Sequence, residues 1–194
     1  MLKKLLLPLF ILLPLMATAA NDNASSVKVK AVKVGAHSYY VEGLPGAASA
    51  ANQGYMSNAG FVITPLGVVV FDSLGTPPLG EALIAQIRRL TRAPIKRVIV
   101  SHYHADHVYG LQAFKAIGAE IWAHEGGKEY FASDELERRL AQRREELFPW
   151  VDETTKVLPP DRWLSGDEDF ELGGVQFAVR FVGPAHSPED LALF

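Results

Sequence analysis

Ile95-Lys96-Arg97-Val98-Ile99-Val100-Ser101-His102-Tyr103-His104-Ala105-Asp106-His107 joins two different kinds of chain. Its first half ends in Val98-Ile99-Val100, a β-branched apolar run that reads as a strand buried at its end. Its second half places three of the six histidines within six residues, where even scatter would put about 0.2. In extended chain, residues two apart face the same way, so His102 and His104 converge on one ion. Asp106 and His107 come as the backbone turns, and address a neighbouring position. Neutral imidazole and carboxylate suit zinc, and also accept iron or manganese. The cluster lies just past the carboxyl end of a buried strand, where α/β sheets place ligands. A surface group of histidines without a metal is the plainer alternative. Four possible ligands at the end of an apolar strand argue against it.

The flanking chain has the same layered character. Gly60 to Thr64 and Val68 to Phe71 are apolar runs joined by Pro65-Leu66-Gly67, which reads as a tight hairpin. Thr76-Pro77-Pro78 predicts a capped helix start, followed by Leu79, Leu83, Ile87 and Leu90 at helical spacing and a stop at Pro94. Residues 108–117 read as a short helix and 121–123 as a strand, so 60–123 implies an α/β layered sheet. Before it, Val27 to Lys30 alternates like a half-wet strand, Tyr39-Tyr40-Val41 continues the sheet, and 43–58 is a loop. After it, 133–147 is a charge-rich helix, with a solvated surface helix as the plain reading and a lid as the alternative. Gly173-Gly174, between two apolar runs, signals a second hairpin.

The chain has 194 residues, 48% of them apolar and 21% charged, which suits one globular domain. It has no cysteine, which excludes disulfides and thiolate metal sites. Residues 1–20 combine Lys3-Lys4, an uncharged run from Leu5 to Ala20 and an Ala17-Thr18-Ala19 exit. That pattern is a cleaved secretory signal peptide and predicts a periplasmic or secreted protein without a stable membrane anchor. Residues 21–26 form a polar, mobile lead-in, and 27–194 the domain. With Lys3 and Lys4 set aside, the balance of 19 basic and 22 acidic residues moves from −3 to −5. A nucleic-acid partner is therefore not expected, and a small-molecule substrate is.

The pattern His102-x-His104-x-Asp106-His107 resembles the metallo-β-lactamase superfamily. The resemblance implies an αβ/βα sandwich, with the second half incomplete in this chain. It also implies that Asp72, closing the run Val68 to Phe71, braces the metal loop, and that Ser101 fills the usual Ser/Thr place. Asp72 as a plain turn residue or helix cap is the alternative. The further ligand implied is His186, in Gly183-Pro184-Ala185-His186-Ser187-Pro188, completing a set with His102 and His104. His37 and His124 match no ligand position. The glycine pair often found after the motif is reduced to Gly110, and Glu189 replaces a common glycine. The remaining partners of the second metal position are not found after His186, which suggests a truncated chain and an uncovered apolar sheet face.

What the resemblance implies chemically is hydrolysis of an ester, thioester or amide bond, a lactam included, by a zinc-bound hydroxide. One or two Zn2+ ions are the expected cofactor, with Asp106 holding the second or orienting the water as a catalytic group. The alternatives are a non-catalytic metal-binding remnant and a glyoxalase II-type thioesterase.

Overall fold

The computed structural model describes residues 24–194; the segment 1–20, read from the sequence as a signal peptide, lies outside the described residues. Seven strands form one mixed sheet in sequence order: β1 (Ala31–Lys33), β2 (Ser38–Val41), β3 (Ala59–Thr64), β4 (Gly67–Phe71), β5 (Ile95–Ile99), β6 (Glu120–His124) and β7 (Arg162–Leu164). The first four are antiparallel, and β4 to β7 are parallel. Parallel neighbours need crossovers, which are α1 (Pro77–Leu90), the pair α2 (Ala105–Val108) and α3 (Leu111–Ala116), and the pair α4 (Lys128–Phe131) and α5 (Glu135–Leu147). Because the order never reverses, right-handed crossovers set all these helices on one face. A second sheet of β8 (Glu168–Leu172), β9 (Val175–Phe181) and β10 (Leu191–Leu193) is antiparallel, with β9 central.

The two-residue period of the strands divides the core between the faces. Val68, Val70, Val98 and Ile121 pack with Leu79, Leu83, Ile87, Leu111 and Phe114 on the helix side. Val69, Ile99 and Trp122, one position out of phase, pack against Phe177, Val179 and Leu191 of the second sheet. The second face is thus covered at its centre, where the sequence led us to expect exposure. What stays open is a groove of about 460 Å³ flanked by Val62, Phe71, Phe177 and Leu193.

Local signals account for the elements that matter at the site. Thr76 Oγ1 accepts from the Leu79 N–H at 3.3 Å and caps α1. Gly173 and Gly174 have φ of 59° and 81°, the left-handed pair that a two-residue hairpin turn requires. Two expectations are corrected. Residues 27–30 are not a strand; β1 starts at Ala31. Ahead of it, Ser25 Oγ and the Ser26 N–H donate to Gln53 Oε1 at 2.8 and 3.0 Å. Polar groups there are satisfied by a side chain instead of a neighbouring strand. The helix expected at 108–117 begins earlier, as α2, so Asp106 and His107 stand in a helical turn. The strand β7 and the short α4 lie where no periodicity pointed to them.

Candidate metal centre

Two sheets deliver the ligands. Strand β5 ends at Ile99, and the extended stretch after it carries His102 and His104. His186 comes from the β9–β10 connection of the other sheet, which is stitched to the first where the Leu191 N–H donates to the Ser101 carbonyl at 2.9 Å. One ring nitrogen each of His102, His104 and His186 lies within 4.8 Å of the others. His186 Nε2 is 3.0 Å from His104 Nδ1. The His102 ring is 4.6 Å from that of His104 and 4.8 Å from that of His186, each edge-on. Chain positions more than eighty residues apart therefore meet at one point.

The protonation pattern around His102 suits a cation. Ser101 Oγ donates its only hydrogen to Asp72 Oδ2 at 2.8 Å, so it accepts from His102 Nδ1 at 2.9 Å. That leaves Nε2 as the lone-pair nitrogen, and this atom is buried with no hydrogen-bond partner among the described residues. Burial, the neighbouring His107 and the neighbouring His104 push the His102 pKa down to about 4, against the pull of Asp72 and Asp190. Burial, Arg139 and His186 lower that of His104. Both rings are consequently neutral near pH 7, as metal ligation demands. An orphaned buried nitrogen beside the rings of His104 and His186 fits a divalent cation.

Asp72 is the hub of the surrounding network. It is buried and adopts φ 65°, a left-handed conformation that aspartate tolerates. Its Oδ1 accepts from the Ser101 N–H at 2.7 Å and its Oδ2 from His107 Nδ1 at 2.7 Å. It is not the helix cap, a role Thr76 fills. His107 Nε2 faces Asp106 Oδ2 at 3.4 Å, beside the three-histidine cluster. Burial alone would lower the His107 pKa, but hydrogen bonds to Asp106 and Asp72 overcome it and carry it up to about 10. Burial opposes ionisation of Asp106 too, yet His107 pulls it down to about 2.

The backbone of α2 is held from below. Ser57 Oγ donates to the Asp106 carbonyl, and the Ser73 N–H and Oγ both donate to the His107 carbonyl, at 2.9 and 2.8 Å. The single glycine kept after the motif has a steric reason: a Cβ on Gly110 would stand 1.9 Å from the Ser73 carbonyl oxygen. Position 109 has no such constraint, and Tyr109 is buried there.

All of the residues that the sequence singles out gather here: His102, His104 and His186 in one cluster, Asp106 and His107 beside it, Asp72 and Ser101 behind them. The sequence reading missed the carboxylate that shapes the His186 turn. Asp190 accepts from the Ser187 N–H and Oγ at 2.8 and 2.7 Å and lies 3.9 Å from His102 Nδ1. Its proximity to His186 in sequence was the available signal. Ser57 and Ser73 act across long separations, and no local pattern marks them. His124 stacks on Phe181 at 4.0 Å and accepts from the Gly126 N–H, and His37 sits near Ile63; neither joins the cluster.

A parallel strand feeding a histidine-rich turn, with a further histidine arriving from a packed second sheet, defines an α/β fold with a candidate metal site between its two sheets. Residues 52–194 match the family model described as the metallo-beta-lactamase superfamily. The metallo-beta-lactamase IND-1 of Chryseobacterium indologenes is 21% identical over 140 residues, 72% of this chain and 50% of that protein. A linear primary-alkylsulfatase of Pseudomonas sp. (strain ATCC 19151) is 30% identical over 50 residues, 26% of this chain and 10% of that protein. Among solved structures, a metallo-beta-lactamase from Pontibacter korlensis superposes with a TM-score of 0.62 at 18% identity, over 86% of this chain and 66% of its own. The chain belongs to the metallo-beta-lactamase superfamily. It spans half or less of the length of these two curated relatives, and so part of the full-length fold.

Proposed function

We propose that this protein is an exported metal-dependent hydrolase that cleaves an ester, thioester or amide bond, a lactam included, in a small molecule. The observation that carries the reading is the convergence of His102, His104 and His186 around the unpartnered Nε2 of His102. Three imidazoles with an open fourth place are the donor set of a catalytic zinc site, and zinc is the ion we assign. A zinc ion supplies Lewis acidity and lowers the pKa of water toward about 7, which provides a nucleophile at neutral pH. The protein's own contribution is positional. Asp72 and Ser101 fix the His102 tautomer, and Asp106 offers a carboxylate that can orient a water by accepting a hydrogen bond from it. Names of relatives widen the bond types worth testing, since one is an alkylsulfatase and another a beta-lactamase.

A second reading is a metal-binding protein without turnover. It is favoured by Asp106 and His107, which face each other at 3.4 Å as an ion pair and so do not present free donors for a second ion. Purified protein is expected to bind zinc at one equivalent or more and to hydrolyse at least one member of a panel of lactams, thioesters, carboxylate esters and alkyl sulfates. His102→Ala is expected to lose both properties. Activity that survives full chelation sinks the metal-dependent reading, and stoichiometric zinc with no turnover favours the second.

A further inference from the structure

His186 is exposed, as are Pro184 and Ala185 before it, whereas Ser187, Glu189 and Asp190 after it are buried. The placement of this imidazole therefore depends on how the chain directly after it is held. Asp190 works within the loop and closes it onto Ser187. Two other bonds reach across to the stretch that carries His102 and His104. The Leu191 N–H donates to the Ser101 carbonyl at 2.9 Å, and Glu189 Oε1 accepts from the Tyr103 N–H at 3.2 Å. Between these bonds one segment advances from 101 to 103 while the other falls back from 191 to 189. That is the step of an antiparallel ladder, with a side-chain oxygen standing where a strand would offer its carbonyl.

The Tyr103 N–H is the backbone donor between His102 and His104, in extended chain whose alternation turns both imidazoles to one side. The Tyr103 ring goes the other way, is buried, and packs edge-on to Phe131 of α4 at 4.9 Å. Its hydroxyl donates to the Leu158 carbonyl at 3.1 Å. One residue is thus fixed from two directions. The turn Glu125–Gly127 closes on the same pair: a Cβ on Gly126 would stand 3.1 Å from the Glu189 Cβ, and one on Gly127 3.0 Å from Tyr103 Cδ2. Burying a carboxylate to 7% exposure is costly without a hydrogen bond, and the Tyr103 N–H supplies one. A glycine at 189, common in the family pattern, would carry no acceptor, so this bond does not come with that pattern.

We propose that Glu189 is a positioning residue for the metal centre, latching the His186 loop to the His102–His104 stretch through the Tyr103 N–H. The inference rests on the metal site of the hydrolase reading and adds a residue that acts through the backbone. Zinc affinity is measured on the full chain by competition with a chromophoric chelator, and hydrogen exchange of the Tyr103 amide by NMR. Glu189→Ala is expected to raise the zinc dissociation constant about tenfold and to speed exchange at Tyr103. Glu189→Gln, which keeps an acceptor oxygen, is expected to stay within about threefold of the wild type and to keep the amide protected. In a His186→Ala background, Glu189→Ala is expected to add less than about twofold, because the ligand it positions is gone. An undiminished effect in that background means general weakening of the fold and overturns the latch. So does Glu189→Gln as weak as Glu189→Ala, which would mean that the charge acts, or zinc binding in the wild type that Glu189→Ala leaves unchanged. A wild type that takes up no zinc overturns the hydrolase reading and this role together.

Discussion

Asp72 joins pieces of chain that have no other reason to stay in register. Ser101 belongs to the end of the β5 segment and His107 to α2, and both donate to the same carboxylate. Replacing Asp72 by Ala leaves the Ser101 N–H and the His107 Nδ1–H without their acceptor in a buried setting, which costs about 1–3 kcal/mol in each case by desolvation. It also frees the His102 tautomer, because Ser101 Oγ no longer has a fixed place for its hydrogen. Partners of this kind typically change metal affinity by about 10–100-fold when removed. Asp72→Ala is accordingly expected to weaken zinc binding within that range while keeping all three imidazoles, as read by competition with a chromophoric chelator. Affinity equal to the wild type would show that the histidines orient themselves.

At the scale of elements, the α1–β5–α2 unit explains both what could be read from the sequence and what could not. Thr76-Pro77-Pro78, the leucine spacing of α1 and the β-branched end of β5 are local signals, and their elements form where they predict. The His102/His104 pair was legible for the same reason, since a period of two depends only on extended backbone. The start of α2 was not legible. Its first turn is stabilised by Ser57 and Ser73, 49 and 34 residues away, through bonds to the Asp106 and His107 carbonyls. Nor was the strand β7, whose three residues form only because β6 offers an edge. Gly110 marks the tightest point of this unit. Its neighbour across the contact is the Ser73 backbone, beside Leu74, which itself holds φ 70°. Such a carbonyl cannot rotate away as a side chain can. Gly110→Ala is expected to destabilise the protein by about 3 kcal/mol through overpacking, measured by urea unfolding. It should also lower zinc affinity, because α2 carries Asp106 and His107. An unchanged unfolding midpoint would mean that α2 can shift freely against β4.

Across the whole molecule, the three-histidine cluster is an interface property. Two of its imidazoles ride on the seven-stranded sheet and one on the loop of the three-stranded sheet, so the sandwich must close for the set to exist. Closure depends on a small apolar cluster, Val69, Ile99 and Trp122 against Phe177, Val179 and Leu191. Phe177 is nearly fully buried there and stacks on Phe170 at 4.8 Å. Truncating such a ring costs about 3–5 kcal/mol. Part of that loss falls on the docking of the second sheet, and therefore on the presentation of His186, although position 177 touches no ligand. Linkage then makes the reverse prediction: a zinc ion bound across the two sheets, at a hundredfold excess over its dissociation constant, is expected to stabilise the closed fold by about 2.7 kcal/mol. Phe177→Ala is expected to raise the zinc dissociation constant at least about tenfold, and added zinc is expected to return a measurable part of the lost thermal stability. In the double variant with His186→Ala, zinc should return much less, because the bridging ligand is gone. If zinc stabilises Phe177→Ala and the double variant equally, the ion binds within one sheet alone and the two layers are not coupled through it.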